Sequence, residues 1–485
     1  MRYTLHISAL TVGLLLASCS NLLEVEPRQS VDSSVALTTR EGINSAVTNA
    51  YTYLKAQALY GRDLLVISEA LADESRIINR AGGRFVNEGQ NVPNSHLGGW
   101  ATYYAAINNI NLILESLPKS PFNEAERTAI EGDVKFLRAL YYFNLVRIYA
   151  FDPKVAIAAV DQGGVPIVLV GVSSPDQVQY PARASVADVY KQLYADLTDA
   201  VAKAPGTGGP NRATKAAAMA LFARVALYNE DFPMAIKYTT DALAAGVGRF
   251  VGTNDYVAAW RGNSHPESIF EVLFQTRQES LGVNNSIQSG YSTIESVAQA
   301  NSLAALRPNP LPPANGQGGV VPTAAFLDLH QPQPGDIRRQ LYQDGLNRSN
   351  AVVTETTKFL GKSGVIYMDN VPVIRVSELY LIRAEAQARS NGDLVQALTD
   401  VNRIRTRAGL AALTNQTNEQ LQAQITLQRR LELAFEGHRW FDLKRRGSGL
   451  VKATGNLSYG DYRILAPLPL SEIQANKNLK QNAGY

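Results

Sequence analysis

The chain has 485 residues, 45% hydrophobic and 18% charged, enough apolar material for a large core or for several units that share one. Its 46 Lys and Arg against 43 Asp and Glu are spread without blocks, which argues against nucleic acid and favours uncharged polymers or small molecules as partners. Cys19 is the only cysteine, so neither a disulfide framework nor a thiolate metal site exists beyond it.

At the N-terminus, Arg2 precedes an apolar run from about Ile7 to Ala17 that is too short to span a bilayer, and Leu16-Ala17-Ser18-Cys19 closes it. Residues 1–18 read as a secretory signal. The position of the thiol resembles the bacterial lipobox, which implies that Cys19 is acylated, with palmitate among its chains, and anchors the mature protein. The alternative is an ordinary signal in which the cysteine is incidental. Residues 19–39 follow as an extended tether in which Pro27 discourages helix.

Helical patterning then dominates. Apolar residues at three- and four-residue spacing predict helices near 40–59, 99–117, 123–150, 185–203, 213–229, 233–245, 376–391, 393–408 and 418–446. Ala226, Phe232, Ala235 and Ala242 are matched 162 residues on by Ala388, Leu394, Ala397 and Ile404, with Asn229-Glu230-Asp231 and Asn391-Gly392-Asp393 in the two turns. Small residues at helix crossings and a polar turn are the mechanics of a tetratricopeptide hairpin, although coincidental helix pairs share that grammar. The fold class expected is therefore all-α, mostly helical, with tetratricopeptide-like hairpins packed against a loop-rich irregular half with short strands.

That half spans about 246–375, between helices at about 40–245 and 376–446. Gly, Asn and Ser are frequent there, Pro308, Pro310, Pro312, Pro313, Pro322, Pro332 and Pro334 crowd one stretch, and Ser268 to Phe274 reads as a short strand. Loops mounted on a rigid scaffold carry binding more often than the scaffold does, so the interaction surface is expected here and in 75–98. The alternative is a merely permissive insertion.

The densest run is Arg429 to Gly447. At helical spacing Arg429 meets Glu432, Glu436 meets Arg439, and Asp442 meets Arg445 and Arg446, pairs worth roughly 0.2 to 0.5 kcal/mol each. His438 sits between Glu436 and Asp442, but one histidine with no second His or Cys nearby has no metal-ligand spacing, and ion pairs on a packed helix explain the charges. His6, His96, His265 and His330 are scattered, and no nucleophile elbow or phosphate-cradling glycine loop is present. No cofactor is expected.

The run at 425–485 resembles the C-terminal signature of the SusD/RagB family of nutrient-binding outer-membrane lipoproteins. Val373 to Ala386, Asn402 to Gly409, and the ending Pro467-Leu468-Pro469-Leu470-Ser471-Glu472-Ile473 through Tyr485 carry the same resemblance. Trp100, Tyr104, Ile107, Asn111 and Gly164 to Val168 take similar places upstream. The resemblance implies a non-catalytic protein on the cell outer membrane, facing outward, that takes up an oligosaccharide or other nutrient. It also implies a partner, a SusC-like TonB-dependent transporter barrel that the protein covers as a lid.

A sugar site needs aromatic faces to stack on ring surfaces and polar side chains to meet hydroxyls. In residues 40–485 that chemistry points to Asp73, Arg80, Arg84, Phe85 and Asn87, and to Tyr256, Asn284, Asn285 and Tyr291, with Trp260 more a packing residue. A helical glycoside hydrolase or lyase, and a tetratricopeptide scaffold for protein partners, are the alternatives. Which glycan is bound, and whether loop carboxylates hold a structural metal, stay open at this point.

Overall fold

Most of the backbone is helical, and seven of the long helices begin where a side chain can satisfy their first amides. Thr39, Asn123, Ser185, Thr214, Asp231, Asp393 and Thr417 each turn a side-chain oxygen onto a backbone N–H of the first turn. The computed structural model describes residues 37–78, 82–294, 316–332, 334–346, 352–361 and 365–485. The expected signal, Cys19, most of the tether, Arg80 and the prolines at 308–313 lie outside the described residues.

Among the described residues, the helices of seven or more residues are α1 (Arg40–Thr52), α2 (Asp63–Leu71), α3 (Trp100–Ser116), α4 (Glu124–Tyr149), α5 (Val186–Lys203), α6 (Lys215–Tyr228), α7 (Phe232–Ala244), α8 (Val376–Arg389), α9 (Leu394–Arg407), α10 (Asn418–Leu433) and α11 (Arg439–Arg445). From α3 to α9 each packs on the next in sequence. The step from α7 to α8 is included, although residues 245–375 intervene. The chain leaves the stack at Ala244, builds the loop-rich half, and resumes beside the helix it left. The hairpins α6/α7 and α8/α9 bury equivalent positions: Ala226, Ala235, Ala242, Ala388, Ala397 and Ile404 are all 0% exposed. Each turn passes through a left-handed residue, Glu230 or Asn391.

Amide side chains fix how the extended segment after α4 lies against α3. Asn111 donates to the carbonyls of Val168 and Val170, Asn108 exchanges bonds with Val172, and the Tyr104 hydroxyl donates to Pro166 at 2.8 Å. The stretches around Trp100 and Gly164 that look alike to the family in sequence are therefore one contact.

The strands form three antiparallel ribbons among the described residues. In order they are β1 (Ser75–Ile77), β2 (Ser268–Val272), β3 (Val320–Pro322), β4 (Tyr342–Leu346), β5 (Val352–Thr356) and β6 (Val371–Arg375), paired β1–β3, β2–β6 and β4–β5. The run expected as a strand from Ser268 is β2, and it pairs Ser268 with Arg375 at the threshold of α8.

Three expectations are corrected. The helix read over 40–59 ends at Thr52 and passes into tighter and wider turns up to Gly61. α2 has no amphipathic period to find, because every residue from Leu64 to Leu71 is buried. The helix read over 418–446 breaks between α10 and α11. There Phe435 adopts φ 63° and buries its ring among Tyr291, Phe326 and Tyr342, and Gly437 adopts φ 79° where a Cβ would lie 2.8 Å from the Leu64 carbonyl.

The charges of that run are also not surface pairs along one helix. Only Asp442 with Arg445, at 2.9 Å, pairs locally as spaced. Arg429 instead binds Asp442 at 2.7 Å, Glu432 binds Arg375 and Arg407, Glu436 binds Arg375 and Lys358, and Arg439 binds Asp73. The break at 434–438 turns these side chains inward, and distant elements supply the partners. No helix among the described residues is long and apolar enough to cross a membrane.

Trp440 is 1% exposed and meets His96 edge-on at 5.3 Å. Trp440→Ala is expected to destabilise the fold by about 3 to 5 kcal/mol in urea unfolding; a loss below about 1 kcal/mol would contradict this packing.

Candidate functional site

The ribbon β1–β3 carries the loops on which binding was expected. Beyond its paired residues, Ile78 donates to the Gly319 carbonyl and Thr323 to the Glu74 carbonyl, both at 2.8 Å. On one flank the segments 82–88 and 282–285 meet. Arg62 donates to the Asn284 carbonyl at 2.9 Å, Arg84 donates to the same oxygen, and Gln317 donates to the Asn284 side chain at 3.1 Å. Two stretches proposed independently from sequence are thus one surface, with Asn87 exposed and Asn285 half-buried on it.

The expected aromatic faces are not there. Phe85 is 5% exposed, held at φ 62° with the Arg62 guanidinium 5.2 Å over its ring. Tyr256 and Tyr291 are 0% exposed, the first under Arg407 at 4.3 Å and the second edge-on to Phe435 at 5.4 Å. Trp260 is equally buried, below Lys358. These rings pack the loop-rich half from within, because a half with little regular structure needs large apolar side chains at its centre. Asp73 is a clamp: Arg439 reaches both its oxygens at 2.7 Å. Arg439's charge and hydrogen bond outweigh burial and hold that carboxyl below its ordinary range.

Against the same ribbon lies a cavity of about 440 Å³ that sequence reasoning missed, walled by Ile77, Val86, Ala325 and Val451, with Arg76 and Gln90 also lining it. Residues 451–454 come from the far C-terminal part of the chain, and Lys452 brings them in. Its ammonium donates to the carbonyls of Ala70 and Leu71 and to Asn91, at 2.8, 3.3 and 3.0 Å, closing the C-terminal end of α2. Burial lowers this amine to about 8. Nothing in the local sequence around Lys452 marks it for that role.

His438 is buried, with Arg429 3.4 Å from Nδ1, and burial lowers its imidazole to about 3, so it is neutral at physiological pH. It packs as a neutral ring within a charged interior. No group of His, Cys, Asp and Glu able to hold a metal ion occurs among the described residues.

The family described as SusD family matches residues 352–485, and the family described as starch-binding associating with outer membrane matches 21–227. The chain belongs to the SusD family. It is 24% identical to the SusD-like protein P25 of Formosa agariphila over 96% of this chain and 97% of that protein. Among solved structures it resembles a putative sugar binding protein from Bacteroides vulgatus with TM-score 0.78 and 25% identity, covering 92% of this chain and 99% of that one. It shares the fold of a laminarin binding SusD-like protein with TM-score 0.71 and 22% identity, covering 92% and 100% of the two chains.

Beside the clamp, this SusD-family chain buries two neighbouring carboxyls, Glu69 and Glu74, both 0% exposed and each with one oxygen lacking a partner. Glu69 Oε1 accepts from the Gly437 amide at 2.9 Å, and Glu74 Oε1 accepts from Arg430 at 2.7 Å. Burial, and then the charge of Glu74, pushes Glu69 well above the ordinary value; burial pushes Glu74 up to about 7 against the pull of Arg439 and Arg430. A carboxyl raised in the folded state binds more protons folded than unfolded, so its stabilisation is complete below the ordinary value of 4.5 and is lost as pH rises through about 7. Scanning calorimetry across pH is expected to show melting temperature falling over this window, and Glu69→Gln is expected to flatten the fall and melt higher than the unchanged chain above pH 7. An equal fall in both proteins would contradict the assignment.

Proposed function

We propose that this SusD-family protein captures an oligosaccharide on the loops flanking the β1–β3 ribbon and passes it to a TonB-dependent barrel in the outer membrane, to which an acylated Cys19 keeps it close. The observation that carries the reading is the family match at both ends of the chain, one part of it to a family described as starch-binding and associated with the outer membrane. The laminarin-binding relative supports a glycan as the class of ligand. Arg84, Asn284 and Gln317 support the placement, since they gather a guanidinium and two amides on irregular backbone, the groups that meet sugar hydroxyls. The tetratricopeptide-like hairpins serve as the scaffold.

A calorimetric screen of oligosaccharides against the protein lacking residues 1–19 tests the reading. Arg84→Ala is expected to weaken the binding found by several-fold, the scale of a charged hydrogen bond partly exposed to water, at unchanged melting temperature. Unchanged affinity would remove Arg84 from the site, and steady turnover of a polysaccharide by the purified protein would replace capture with catalysis. For the anchor, Cys19→Ala is expected to move the protein out of the membrane fraction in cells lacking the barrel. Full retention there would refute anchoring through Cys19.

A further inference from the structure

The cavity behind the ribbon has a chemistry of its own. Its volume of about 440 Å³ falls within the range of roughly 300 to 1,000 Å³ in which small-molecule sites are found. Its walls at Ile77, Val86, Ala325 and Val451 are aliphatic, and among the described residues no aromatic ring lines it. Stacking, the usual source of affinity for a neutral sugar ring, is therefore not on offer.

The charges are one-sided instead. The only carboxylate on the wall among the described residues, Asp73, is held by Arg439 through both oxygens and has Arg430 3.8 Å away. Two cations on the wall have no carboxylate in contact. Lys452 makes its hydrogen bonds to two backbone carbonyls and the Asn91 amide, all neutral acceptors, and Asp73 acts on it only through its charge, without a hydrogen bond. Arg76, on the middle residue of β1, is exposed and has no hydrogen-bond or ion-pair partner among the described residues. Glu88 lies on the neighbouring turn but is not part of the wall. Most other polar groups of the wall are occupied: Ser75 donates to the Glu69 carbonyl, Thr323 caps the turn at Phe326, and Thr454 donates to the Gly89 carbonyl. The cavity thus offers an aliphatic floor, a free guanidinium fork and, at Gln90, an exposed amide.

We propose that this cavity binds a uronate residue of an acidic oligosaccharide, with the sugar ring against the aliphatic wall and its carboxylate on the Arg76 guanidinium. The proposal rests on the glycan-capture reading and sharpens it to a ligand class. A planar fork of N–H donors matches a planar carboxylate, and the Lys452 ammonium on the same wall adds a longer-range attraction. The near balance of charge in the whole sequence hides this local excess, because a sum over the chain carries no information about where the charges gather.

The test is titration calorimetry with oligogalacturonates and alginate oligosaccharides beside neutral malto- and laminari-oligosaccharides, at low and high salt, on the protein lacking residues 1–19. The acidic set is expected to bind more tightly than the neutral set and to lose affinity as salt rises. Arg76→Gln is expected to weaken acidic ligands about tenfold or more while leaving the melting temperature unchanged. Ala325→Trp fills the cavity from an exposed position without changing charge, and is expected to abolish the same binding. Neutral ligands binding as tightly as acidic ones without salt dependence, or acidic binding that survives both substitutions, would overturn the uronate site and leave glycan capture standing. A folded protein that binds no saccharide of either set would overturn both.

Discussion

Arg375 is 1% exposed and directs all five of its N–H donors to acceptors on three separate elements: Glu267 ahead of β2, Glu432 at the end of α10, and Glu436 in the break before α11. Arg407 from α9 bridges the same Glu267 and Glu432, and Lys358 after β5 reaches Glu436 and the carbonyls of Glu432 and Ala434. Charges this deep lose their hydration, so each is tolerable only while its partners are in place; removing one member of such a cluster costs about 3 to 5 kcal/mol. A hydrophobic contact tolerates sliding, but this cluster does not. The cluster therefore fixes the register between the loop-rich half and the terminal helices.

That constraint explains how the described residues of 245–375, with short strands and only short helices, can hold a surface in a defined place. The insertion begins and ends against the helical stack, where α7 and α8 pack on each other, and the strand β6 runs straight into α8 through Arg375. A second set of charges, half-buried Asp73, Arg430 and Arg439 with buried Glu74, ties the start of β1 to α10 and α11. The loops beside the β1–β3 ribbon are thereby mounted on a part of the molecule held by ion pairs to the terminal helices. Preorganised loops of this kind lower the ordering cost of binding.

The sequence made the helical stack legible because helices such as α5, α7 and α9 repeat their burial every three or four residues and begin at a recognisable cap. It hid α2, whose residues are buried all round, and it hid the break at Phe435 and Gly437, since tertiary packing and not local propensity demands the left-handed backbone there. The charged run from Arg429 read as local pairs because spacing along a helix is visible in sequence and inward rotation is not. Of the candidate site, Arg84 and Asn284 were legible as polar groups on loops and do meet. Tyr256 and Tyr291 were misplaced because an aromatic in an irregular segment reads the same whether it faces a ligand or the core. Arg76 and the segment at Lys452 form one cavity only through folding, and no pattern along the chain links them.

Native-state hydrogen exchange in rising denaturant, followed by mass spectrometry, tests the central claim on the unmodified protein. If the Arg375 cluster joins the two halves, the amides of β2 and β6 and those at the C-terminal end of α10 open together with the same free energy and the same denaturant dependence. Opening of β2 and β6 at markedly lower denaturant, with α10 still protected, would show that the loop-rich half is held independently and would contradict the account.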